Sequence, residues 1–96
     1  MIDENKHIFR KISDFEISEL PDGYIVHDQE RGKIHFLNFT AAILLEMCDG
    51  ENTVSDLEEF LREGFELPSR PAREVETCLA DLQSQGLIEY ARGEAA

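Results

Sequence analysis

Residues 23–48 read GYIVHDQERGKIHFLNFTAAILLEMC, and the change of period inside that stretch decides the fold. Tyr24, Ile25 and Val26 are β-favouring residues in succession, and the polar loop Asp28–Gly32 (DQERG) closes the run with its own glycine. Lys33–Leu37 (KIHFL) is a second short run of the same kind, so Gly23–Asp28 and Lys33–Leu37 are expected to form a hairpin. At Asn38 the pattern turns helical. Asparagine is a favoured N-cap, and nothing from Phe39 to Cys48 breaks a helix. Phe39, Ala42, Ile43, Leu45 and Met47 leave that helix little polar face, which predicts a buried central element.

Upstream, Ile12, Phe15, Ile17 and Leu20 are interspersed with polar residues, and Phe15-Glu16-Ile17 alternates as a first strand before a turn at Pro21-Asp22-Gly23. Residues 1–11 mix charge with few apolar members and are expected to form a loosely ordered arm. Downstream, Asp49-Gly50 stops the first helix. Thr53 and Asp56 form a capping-box variant that opens a second helix over Val54–Glu63, with Val54, Leu57 and Leu61 as its stripe and Phe60 beside them. After a link at Gly64–Pro68, Pro71 suits the first turn of a third helix that runs to Gln85, with Gly86 as its C′ residue. Leu87-Ile88 packs back on the core, and residues 92–96 are expected to be a disordered tail. The expected fold is α+β, a three-stranded antiparallel sheet followed by three helices, in one domain over residues 12–91.

The chain has 96 residues, 42% of them hydrophobic, which suits a single modest core. Its 21 acidic and 9 basic residues give a formal net charge of −12, which repels phosphate backbones and makes nucleic acid a poor partner. The longest apolar run, Ala41–Leu45, is far short of the ~20 residues that span a bilayer. The start also lacks the layout of a secretion signal, so a cytoplasmic protein with no membrane partner is expected. Cys48 and Cys78 fall within predicted helices, where small thiols pack into cores.

No motif of catalysis is present: no P-loop, no G-x-G-x-x-G, no G-x-S-x-G, no C-x-x-C and no H-E-x-x-H. His27 and His35 lie on adjacent predicted strands and could face each other across the hairpin, but they lack a spaced third ligand for a metal. Asp56, Glu58 and Glu59, in the first turn of the second helix, offset its dipole. Neither an enzyme nor a cofactor or metal is expected. What the order of elements does supply is an edge. Lys33–Leu37 carries only Lys33 and His35 as polar side chains, so its outer edge is weakly protected against pairing with a foreign strand.

Ile34-His35-Phe36-Leu37-Asn38, then Thr40-Ala41-Ala42 and Ile43-Leu44, the Cys48-Asp49-Gly50 stop, Thr53-Val54, Leu79, Leu82 and Gly86-Leu87-Ile88 together resemble the PqqD family, also called the RiPP recognition element. The resemblance covers residues 23–89. It implies a winged-helix-like, non-catalytic domain that binds the leader region of a ribosomally made precursor peptide and presents it to a modifying enzyme, such as a radical enzyme or a leader peptidase. By the same resemblance the leader lies antiparallel along Lys33, Ile34, His35, Phe36 and Leu37. Its side chains then enter a groove walled by Val75, Cys78, Leu79 and Leu82, with Arg73 and Thr77 at the rim. Two other classes remain open. A protein–protein docking module is one; a winged-helix DNA-binding protein is the other, and it is opposed by a second helix that sets Arg62 against Asp56, Glu58, Glu59 and Glu63.

Overall fold

A computed structural model describes residues 6–92. At its centre is the antiparallel meander β2 (Glu16–Leu20), β3 (Gly23–Asp28) and β4 (Lys33–Leu37), in the order β2-β3-β4. The registers Ile17↔Val26 and Val26↔His35 put Ile17, Val26 and His35 side by side on one face. Val26 and Leu37 point from that face into the core, as the period of two requires. Phe15 precedes β2 and packs against the core from outside the strand.

Helix α1 (Phe39–Met47) begins where the Asn38 side chain accepts a hydrogen bond from the Ala41 N–H at 2.8 Å. It buries Ala42, Leu44 and Leu45, while Phe39 in its first turn stays exposed. Cys48 ends it. Helix α2 (Val54–Gly64) opens on a complete capping box: Asp56 N–H donates to Thr53 Oγ1 at 3.1 Å, and Thr53 N–H donates to Asp56 Oδ2 at 2.8 Å. Helix α3 (Ala72–Ser84) ends in a Schellman turn, with Gly86 N–H donating to the Gln83 carbonyl and Leu87 N–H to the Leu82 carbonyl, both at 3.0 Å. Gly86 takes the left-handed conformation that this turn requires, φ 77°.

The structure departs from the sequence expectation in having a second sheet. Its order is β5-β1-β6, made of β1 (Ile8–Lys11), β5 (Asp49–Thr53) and β6 (Ile88–Arg92). Among the described residues the fold is therefore α+β with two three-stranded antiparallel sheets and three helices, not one sheet followed by helices. Ile8–Lys11, expected in a loose arm, is the middle strand of this sheet, and Arg92, expected in the tail, belongs to β6. Backbone bonds from Lys11 N–H to the Cys48 carbonyl (2.9 Å) and from Ile12 N–H to the Leu87 carbonyl (3.0 Å) carry the ladder past β1. The rest of the expected arm, residues 1–5, and residues 93–96 of the expected tail lie outside the described residues.

Leu44, Leu45, Leu57, Leu82, Leu87 and Ile88 are fully buried where the three helices meet the meander and β6. Leu87-Ile88 thus returns to the core as expected.

Candidate functional site

In the meander β4 pairs on one side only, with β3; among the described residues no strand lies on its other edge. Its side chains alternate. Ile34 (64% exposed) and Phe36 (56%) project to the outer face of the sheet, His35 is half-buried on the inner face, and Leu37 is buried in the core. Lys33 is exposed at the start of the strand.

The inner face of β4 looks toward the C-terminal end of α3, and one side-chain contact joins the two directly. His35 Nδ1 lies 3.1 Å from Gln85 Oε1. Gln85 Nε2 in turn donates to Asp81 Oδ2 at 3.1 Å. One residue beyond α3's cap, the Gly86 carbonyl accepts from Arg31 Nη1 at 3.2 Å. Arg31 is held from behind by Asp28, a buried carboxylate whose Oδ1 accepts from the Arg31 N–H at 3.2 Å and whose Oδ2 lies 3.6 Å from Arg31 Nε.

Where β4 runs into α1, an open groove of about 890 Å³ continues along the exposed face of α3. Asn38, Thr40 and Ala41 form one side; Arg73, Thr77, Cys78 and Asp81 lie on the other. Of the residues expected at the helical wall, Cys78 lines this groove, and both expected rim residues, Arg73 and Thr77, line it too. Val75, Leu79 and Leu82 do not. They belong to the buried core and support the groove from beneath. Sequence reasoning misses Asn38, Thr40, Ala41, Glu74, Ala80, Asp81 and Ser84, although Glu74, Thr77, Cys78, Asp81 and Ser84 recur at the helical spacing that marks one face of α3.

Burial, then the charge of Asp81, pushes the half-buried Cys78 thiol above its ordinary pKa of 9.0. Cys48 is pushed further, to about 12, by burial first and then by Cys78 and Asp49. Both cysteines are free. A raised pKa lowers the thiolate fraction at neutral pH and so slows the reactions of either thiol.

His27 and His35 do not face each other: His27 pairs with Ile34 on the outer face and His35 with Val26 on the inner one. Among the described residues no group of three His, Cys, Asp or Glu is placed to hold a metal ion. No helix there is long and apolar enough to cross a membrane.

The family model described as coenzyme PQQ synthesis protein D (PqqD) matches residues 23–88 of this chain. The chain belongs to the PqqD family. No curated protein and no solved structure matches it. PqqD is a family of accessory, peptide-binding proteins that work with a precursor peptide and a modifying enzyme. The PqqD match begins at the first residue of β3 and takes in β4, all three helices and the groove, and leaves β1 and β2 outside it.

Proposed function

We propose that this PqqD-family chain is a non-catalytic adaptor that binds the leader region of a ribosomally synthesised precursor peptide and presents it to the enzyme that modifies the rest. The observation that carries this reading is the free edge of β4 lying beside the groove on α3. An added strand satisfies its own backbone N–H and C=O groups along Lys33–Leu37, which gives affinity with little regard to sequence. Side chains on one face of that strand meet His35 and run on toward Cys78, Thr77 and Arg73, which gives selectivity. The meander with its three helices is then a winged-helix-like platform, and its place of work is the cytoplasm, where precursors are made.

The enzyme needs a surface that the peptide does not cover. Phe39 and Phe65, both about half exposed, meet edge to face at 6.4 Å, and Tyr24 stacks on Phe39 at 6.2 Å. Glu19 is the register partner of Tyr24, and Glu66 follows Phe65. Aromatic anchors inside an acidic rim suit an apolar enzyme surface ringed by Lys and Arg.

Titration of the isotopically labelled chain with the precursor peptide encoded beside it, read by amide shifts, tests the proposal. Shifts running along β4 and the groove face of α3 are expected; shifts confined to α2 would overturn strand addition.

A further inference from the structure

The two edges of the meander are built differently. Along β2 the exposed side chains are Glu16, Ser18 and Glu19, the polar and charged kind that keeps an edge from pairing with another chain. Along β4, whose outer edge is unpaired among the described residues, Ile34 is 64% exposed and Phe36 56%. They stand two residues apart, so both project from the outer face of the sheet. Their register partners on β3 are His27 and Ile25, and none of Ile25, Ile34 and Phe36 packs against the core. Lys33, the only Lys or Arg on β4, alternates to the other face. A sheet that guards one edge with charge and sets two large apolar side chains beside the other marks the second edge for a partner.

We infer that Ile34 and Phe36 are specificity-determining residues of this chain: they select a precursor segment that carries two apolar side chains, β-branched or aromatic, two residues apart on the face turned away from α3. The inference rests on strand addition to β4 and goes beyond it, since backbone pairing alone is indifferent to those side chains. An added antiparallel strand sets one residue directly opposite Ile34 and another opposite Phe36, with Cβ atoms ~5 Å apart. Both side chains are more than half exposed, so the incoming ones have access to them. The Phe36 ring reaches back over Gly23, and a long or aromatic side chain also spans the diagonal of ~7–8 Å between neighbouring rows. Apolar pairs of this kind leave water together, whereas a polar side chain in either place keeps Ile34 or Phe36 wet. A second copy of this chain would bring the same two residues to the edge, but it also sets a net charge of −12 against −12.

A displayed library of random linear peptides supplies the probe, and its binders should be enriched in apolar pairs two residues apart. A binder whose register against β4 is fixed by cross-strand NMR contacts is synthesised with Val or Thr, nearly the same in shape, opposite Ile34 and opposite Phe36. Thr in one place is expected to weaken binding roughly two- to fivefold, and in both up to about thirtyfold, the range of cross-strand pairs. The gap opposite Ile34 should close in I34T and the gap opposite Phe36 in F36T, each leaving the other open. A merely structural role for these residues would instead lower the affinity for all the peptides alike. Equal binding of the Val and Thr peptides in an unchanged register overturns the role of Ile34 and Phe36 and leaves strand addition standing. Failure of any selected peptide to contact β4 overturns strand addition itself and the inference with it. A dimer of the peptide-free chain that I34T or F36T dissolves would give this face to a second copy, and that also overturns the inference.

Discussion

Gly23 lies directly beneath the ring of Phe36. A Cβ on Gly23 would stand 2.8 Å from Phe36 Cζ and 2.7 Å from the carbonyl oxygen of Leu37, closer than real Cβ contacts come. The missing side chain lets Phe36 lie across the sheet toward β3. The Leu37 carbonyl is backbone and cannot swing away, so G23A must shift β3 against β4. A loss of about 1–3 kcal/mol in urea unfolding is expected, the range for overpacking. Unchanged stability would mean that the strands part without cost.

The half of the fold that local pattern governs was legible, and its other half was not. Asn38, the Thr53–Asp56 box and Gly86 are helix-end signals written in one or two residues, and they mark the start of α1, the start of α2 and the end of α3. Strands β3 and β4 follow from their β-branched and aromatic runs. Strand β5, by contrast, is DGENT, with no apolar alternation at all. It is a strand because β1 pairs with it, and β1 in turn pairs with β6 from the far end of the chain. Such pairing is a tertiary fact with no local signature. The same limit applied at the site: a stripe of Val75, Cys78, Leu79 and Leu82 does not tell which of them the core takes, and only Cys78 reaches the groove.

The two thiols should report on the groove. Cys48 is buried with its pKa pushed up to about 12, whereas Cys78 is half-buried at the groove and raised mainly by burial. At neutral pH a disulfide reagent should label Cys78 slowly and Cys48 only after unfolding. Bound precursor peptide should slow Cys78 further. Equal labelling rates for the two cysteines in the folded chain would contradict this placement.

Asp49 gives the fold an acid-side dependence. Its carboxyl is held below the ordinary 3.8, first by the backbone N–H of Glu51 and then by that of Asn52, which donate to Oδ1 at 2.9 and 3.1 Å. Because the folded pKa lies below the unfolded one, this stabilisation is complete above the unfolded value and is lost as pH falls through the folded value. Asp49 is exposed, so screening keeps the effect small. D49N keeps the acceptor and removes the charge. The gap between its urea midpoint and that of the unchanged chain should be constant above about pH 5 and shrink below it; a gap insensitive to pH would show that the charge contributes nothing.

Peptide and enzyme should be separable by mutation. Phe39 is exposed at the start of α1, and its ring meets Tyr24 of β3 and Phe65 and does not line the groove on α3. Replacing Phe39 and Phe65 together with Ser should leave precursor affinity within about twofold, as expected for surface changes outside a contact. The rate at which the modifying enzyme processes the precursor should fall. A parallel loss of peptide affinity would place the peptide, not the enzyme, on these rings.

Thr77 offers the most direct test of the groove, because it is exposed on α3 and lines the opening without touching the core. T77W fills that space with an indole while Val75, Leu79 and Leu82 beneath keep the helix packed. Thermal stability should barely change, since surface substitutions stay within about 0.5 kcal/mol. A side chain forced into a close-packed contact costs about 1–3 kcal/mol, so precursor Kd should rise roughly five- to a hundredfold. Pairing at the β4 edge is a backbone matter and should survive in part, so peptides shortened to the segment opposite Lys33–Leu37 should bind T77W and the unchanged chain alike. If the full precursor also binds both equally, the peptide leaves the protein at Leu37, and the groove on α3 serves something else.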